Sequence, residues 1–216
     1  MTSGKFKAVI FDFGGVITAS PFEGIERLEA ERGLPHGFVR RINATNHDTN
    51  AWARLERSEI SVDQFDELFA QEAAALGGEL RGAEVMAVLS GAVRPEMVAA
   101  LDRLKEVGYR LGCITNNMRT PGYPEDGMLS DERLGHVFRR FDQVIESALT
   151  GLRKPDPQIY RLACERLDVE PPHCVYLDDL GINCKPAAAL GMHAIKVTGG
   201  AQALAELEGV LGHAIG

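Results

Sequence analysis

The chain has 216 residues, 45% of them hydrophobic and 25% charged, with a formal net charge of −8 and a pI near 5.3. This is an ordinary globular composition, long enough to bury a core without disulfides or a structural metal, and its negative balance excludes a surface built for nucleic acid or anionic membrane. Cys113, Cys164, Cys174 and Cys184 show neither CxxC nor Cys/His metal spacing and read as reduced structural thiols; with no leader pattern and no bilayer-length apolar span, a soluble cytoplasmic protein is expected.

In chain order, VIFDFGGVITAS (9–20) opens with an apolar run that ends on Asp12 and passes at once into a glycine-rich turn. Short continuous apolar runs bounded by turn residues read as strands buried on both faces. From about Ser20 to Gly91 the patterning is helical, with no convincing strand. Within it, SVDQFDELFAQEAAA (61–75) starts with Ser61 and Gln64 at capping-box spacing and sets Phe65, Leu68 and Phe69 on one face. In RPEMVAALDRLKEVGYR (94–110), Pro95 fits a first helical turn, Val98, Leu101 and Leu104 share a face, and Gly108 ends the helix. Strands are expected in YRLGCIT (109–115), FDQVIES (141–147), HCVYLDD (173–179) and MHAIKVT (192–198). Between them KPDPQIYRLACERL (154–167) predicts a helix capped by Asp156, started by Pro157 and buried along Ile159, Leu162, Ala163 and Leu167. Alternation of this kind means an α/β fold with a parallel sheet and right-handed crossovers, here with a helical insert after the first strand.

Ligands of open parallel sheets bind beyond the carboxyl ends of the strands. Those ends carry Asp12, Thr115-Asn116-Asn117 and Asp178-Asp179, with Lys154 placed to project toward the same edge. Together they make a consistent phosphoryl-transfer set. Asp12 is a candidate nucleophile, and an aspartyl-phosphate divides one difficult displacement into two easier ones. Attack of an anion on an anionic phosphate needs charge cancellation, for which Mg²⁺ with oxygen ligands from Asp12 and Asp178 is the natural choice. Lys154 balances the carboxylates, while Thr115 and the backbone N–H groups after it donate to phosphate oxygens.

The motifs VIFDFGGVI, CITNN, Lys154-Pro155 and VYLDD, in this order, resemble those of the haloacid dehalogenase superfamily. FDQVIES, KPDPQIYRL and VYLDDLGINCKPAAALGMHAIKV are similar, at finer grain, to the phosphatase branch at the amino terminus of soluble epoxide hydrolase and to the branch fused to some acyl-CoA dehydrogenases. The resemblance implies a Rossmann-like core (1–19 and 92–216) with an inserted α-helical cap (20–91). It also implies Asp12 as nucleophile, Thr115, Asn116 and Lys154 as phosphate-binding residues, and Asp12, Asp178 and the Gly14 carbonyl as Mg²⁺ ligands. Asp179 and Asn183 would support that end of the site. A small phosphorylated metabolite is the expected substrate, and a homodimer the default assembly.

Superfamily phosphatases usually carry a second aspartate, a general acid/base, where Gly14 stands. Such catalysis is typically worth about 10²–10⁴-fold. Either the substrate has a good leaving group, such as an acyl or sugar-1-phosphate, or the cap supplies another acid, with His47, Asp48 and Glu56 as candidates. Superfamily dehalogenases also lack the second acid, but they use no metal and do not keep the acidic pair that VYLDD retains. A third alternative is a binding or regulatory module with negligible turnover. The DFG triplet is no kinase signature, because the other kinase motifs precede theirs in the chain and only eleven residues precede Asp12. Trp52 is assigned to packing within the cap, and Arg54 and Arg57 to a solvated face. Met118, Arg119 and the loop TPGYPEDG (120–127) stand as candidate entrance residues.

Overall fold

The computed structural model describes residues 4–89, 91–117 and 123–215. Met118, Arg119 and the first three residues of the TPGYPEDG loop lie outside the described residues. Five strands form one parallel sheet: β1 (Ala8–Phe11), β2 (Arg110–Thr115), β3 (Gln143–Glu146), β4 (Cys174–Asp178) and β5 (His193–Lys196), in the order β3-β2-β1-β4-β5. Continuous apolar strands are what a sheet covered on both faces requires. Val9 and Phe11 pack into a cluster with residues of α6 (Pro95–Val107) and α11 (Gly200–Leu211). Ala8 and Ile10 face the opposite way, against α9 (Pro157–Leu167) and α10 (Gly181–Ala189).

The helix signals act as the sequence suggests, with one shift. Asp156 accepts from the Gln158 N–H at 2.9 Å, and Gly108 terminates α6 at φ +100°. The buried face of α6 is Met97, Ala100, Leu101 and Leu104, with Val98 at its margin. That of α9 adds Tyr160 and Cys164 and leaves Leu162 only partly covered. A helix lying on a sheet buries a stripe broader than a single i, i+3, i+4 row.

Residues 20–91 hold α1 (Phe22–Glu31), α2 (Phe38–Ala44), α3 (Ala51–Glu56), α4 (Val62–Ala75) and α5 (Gly82–Ala87), with no strand among the described residues. The Ser61/Gln64 capping box opens α4. These helices close on their own apolar cluster, in which Phe65 and Phe69 are wholly buried and Trp52 meets Phe65 edge-on at 5.7 Å. The chain leaves and re-enters the sheet layer at adjacent points. Thr18 and Val93 form an antiparallel bridge, flanked by Ala19 N–H to Ala92 O (2.8 Å) and Arg94 N–H to Ile17 O (2.9 Å). Two short helices, α7 (Gly135–Phe138) and α8 (Ser147–Thr150), flank β3. The four cysteines are free thiols, and no helix among the described residues is long and apolar enough to cross a membrane.

Candidate active site

Sheet register builds the site. Phe11 pairs with Leu177 and with Cys113, so Asp12 and Asp178 emerge side by side at the carboxyl edge, and Asp12 N–H still donates to Leu177 O at 2.8 Å. Asp12 Oδ1 accepts from the Phe13 N–H at 2.6 Å, which fixes the carboxylate over the turn. The two glycines that follow differ in kind. Gly14 has φ −68° and ψ +132°, a conformation open to any residue, and a Cβ there would meet nothing within 4 Å. Gly15 has φ +74°, and a Cβ there would lie 2.2 Å from Asp179 Oδ2. Gly15 is required by both the turn and its acidic neighbour.

Lys154, wholly buried, reaches between two strands: its Nζ lies 2.7 Å from Asp12 Oδ1 and 2.9 Å from Asp178 Oδ2. Asp178 is saturated with donors. Besides Lys154, it accepts from the Leu180 N–H (2.8 Å), from Asn183 Nδ2 to both oxygens (3.1 Å each) and from the Tyr176 hydroxyl. Tyr160 donates to Asn183 O at 2.9 Å, so a second tyrosine holds the asparagine. Asp179 is only partly covered, and the Ser20 Oγ hydroxyl donates to its Oδ2 at 3.5 Å.

Thr115 ends β2, buried beside the site. Asn116 clasps the main chain of Lys154 from both sides, accepting from Lys154 N–H at 2.8 Å and donating to Lys154 O at 3.0 Å. Asn117 is turned away, toward Glu146, Tyr123 and Ala148 N–H, and ties the loop to the end of β3. Of the three cap acids considered, His47 and Asp48 are exposed and paired with each other, whereas Glu56 is buried at the edge of the site. Both its oxygens are engaged: Trp52 Nε1 donates to Oε1 at 3.0 Å, and Arg153 approaches Oε2 with Nε at 2.7 Å and Nη2 at 2.6 Å. Trp52, partly buried, thus packs against the apolar cluster of the helical layer, as expected, and also holds Glu56. Gly15, Tyr176, Arg153 and Ser20 escaped the sequence reading. Of these only Tyr176 carried a signal, two residues before Asp178 on the same face of a strand.

Asp12, Asp178 and Asp179 each place one oxygen within 4.8 Å of the others. One ammonium does not cancel three carboxylates. Burial pushes Asp12 up to about 8; Lys154 opposes that, while Asp178 and Asp179 add to it. Burial and then the charge of Asp178 raise Asp179 to about 6. Burial alone would lower Lys154, but Asp12 and Asp178 outweigh it and hold it charged. An excess of negative oxygen donors around a small space fits a hard divalent cation.

The sequence profile of haloacid dehalogenase-like hydrolases matches residues 6–191, and the chain belongs to that family of enzymes. It is 33% identical over 217 residues to acyl-CoA dehydrogenase family member 10 of Mus musculus, covering 96% of this chain. The chain spans 19% of that protein's length, and 39% of the length of bifunctional epoxide hydrolase 2 from the same animal. Sesquiterpene phosphatase astK of Aspergillus oryzae is 27% identical, with 96% of this chain and 97% of that one covered. Among solved structures, a haloacid dehalogenase-family enzyme of Bacteroides thetaiotaomicron in complex with magnesium and inorganic phosphate shares the fold. Its TM-score is 0.58 at 18% identity, covering 88% of this chain and 93% of that one.

Proposed function

We propose that this hydrolase is a Mg²⁺-dependent phosphatase of small phosphorylated substrates that works through an aspartyl-phosphate on Asp12. The observation that carries the reading is the buried Lys154 ammonium bridging Asp12 and Asp178, with Asp179 completing a cluster of carboxylates. A phosphatase relative that aligns along nearly its whole length, and a fold neighbour solved with magnesium and phosphate, support it.

Asp12 uses the oxygen that Lys154 does not hold. It attacks phosphorus as the bond to the leaving oxygen breaks, and that oxygen departs with the electron pair as an anion. Lys154 steadies Asp12 and the charge gathering on the phosphoryl oxygens, and Thr115 and the Asn116 N–H donate to them. Water then attacks phosphorus, the bond to Asp12 breaks with its electron pair returning to the carboxylate, and the departing inorganic phosphate keeps one proton of that water and releases the other to solvent. Asp12, Asp179 and the Gly14 carbonyl would hold Mg²⁺, which supplies charge neutralisation for two anions that must meet. Asp179 is preferred here to the Asp178 expected from sequence, because four donor groups already occupy the acceptor sites of Asp178. Burial raises the pKa of Glu56, but both its oxygens are held, by Trp52 and by Arg153, so it does not serve as the proton donor in this reading. The reading therefore favours substrates whose leaving group departs without protonation, such as acyl or anomeric phosphates.

The test is hydrolysis of an activated aryl phosphate with magnesium chloride. Asp12→Asn should abolish turnover, and EDTA should come close to doing so. Undiminished activity in EDTA would refute the metal requirement. No turnover on that ester, followed by none across a metabolite panel, would favour a binding module.

A further inference from the structure

Lys154 and its neighbour Arg153 point to different partners. Lys154 reaches Asp12 and Asp178, while Arg153 reaches the helical layer: Nε and Nη2 meet Glu56 Oε2, and Nη1 donates to His47 O at 2.8 Å. Glu56 sits at the end of α3 and is buried; Arg153 is itself largely covered. Glu56 Oε2 also lies 3.5 Å from Asn116 Nδ2, in the side chain that grips both main-chain groups of Lys154. One carboxylate of the helical layer therefore joins Arg153, the residue before Lys154, and Asn116, which holds the Lys154 main chain. On its other oxygen it holds the indole of Trp52, the sole tryptophan of the chain.

We propose that Arg153 and Glu56 are a positioning pair, through which the seating of the helical layer sets the placement of Lys154 and Asn116 for phosphoryl transfer. A planar guanidinium directing two N–H groups at one carboxylate oxygen fixes orientation as well as distance. The pair lies beside the phosphate-binding residues and touches no reacting atom, so it acts through Asn116 and the Lys154 main chain. The kinetic part rests on the phosphatase reading; the optical part does not.

The experiment compares wild type, Glu56→Gln, Arg153→Met, the double variant and Arg153→Lys. Each is assayed with an aryl phosphate and magnesium chloride, and each is followed by Trp52 fluorescence during titration with inorganic phosphate. Each single charge-removing variant should lower kcat by about 10²-fold with little change in KM, the size expected for misplacement of a catalytic group by about 1 Å. The double variant should lose no more than either single, because the two act as a unit. Arg153→Lys should recover part of the loss. Phosphate should shift Trp52 emission in wild type and not in Glu56→Gln or Arg153→Met. Lowered melting temperature with unchanged kcat per folded molecule, or strictly additive losses, would overturn the proposal. An emission shift that survives both substitutions would overturn it too. A wild type that shows the phosphate-dependent shift, lost in the variants, but hydrolyses no ester would refute the phosphatase reading and leave the pair standing.

Discussion

Gly14 and Gly15 are adjacent, yet alanine at the two positions should move stability in opposite directions. At Gly15 an L-residue must hold φ +74°, which costs about 1–2 kcal/mol. Its Cβ would also sit 2.2 Å from Asp179 Oδ2, 2.5 Å from Cγ and 3.1 Å from Cβ, so the whole acidic side chain must move. Overpacking of that kind adds about 1–3 kcal/mol, for a total of roughly 2–5 kcal/mol. At Gly14 the backbone is already suited to alanine and the space around it is open. Restricting the unfolded chain there should stabilise by about 0.4–1 kcal/mol. Urea unfolding of both variants in EDTA at pH 7 measures the two effects without metal binding. Equal destabilisation by the two substitutions, or a neutral Gly15→Ala, would refute the account of this turn.

Gly14→Asp should fold, and should raise turnover of alkyl phosphates relative to aryl phosphates; a Brønsted series over leaving groups reads this as a shallower slope, and an unchanged slope would show that no proton donor had been installed. Tyr176→Phe removes one donor from a fully buried carboxylate and should cost about 1.5–3 kcal/mol in urea melts, the range for a hydrogen bond to a charged group. Phe65→Ala empties a fully buried position in the helical layer and should cost about 3–5 kcal/mol. Hydrogen exchange should then place the loss in α3 and α4 before β1 and β2.

The central strands β1, β2 and β4 were legible because a sheet covered on both faces writes itself as apolar runs, whereas the edge strands β3 and β5 are only partly buried. The helices were legible through Pro95, Gly108, Asp156 and the Ser61/Gln64 box, whose effects reach only a few residues along the chain. The three strand-edge motifs and Lys154-Pro155 were legible for the same local reason, and register then brought Asp12 and Asp178 together. The difference in surroundings between Asp178 and Asp179 was not. Adjacent residues on a strand end face opposite ways, and only the count of donors around each distinguishes them. The Glu56–Arg153 pair was beyond periodicity altogether, since 97 positions separate the partners. The Asp179 constraint on Gly15 likewise exists only after the chain has folded back.

The bridge between Thr18 and Val93 makes residues 20–91 an excursion that begins and ends at one place on the sheet. Loop-closure entropy rises slowly with length, each doubling adding only about 0.6 kcal/mol. The strands therefore tolerate great variety in what is threaded through that doorway. The helices between Thr18 and Val93 could be exchanged wholesale while the carboxylates and ammonium at the sheet edge stay where they are.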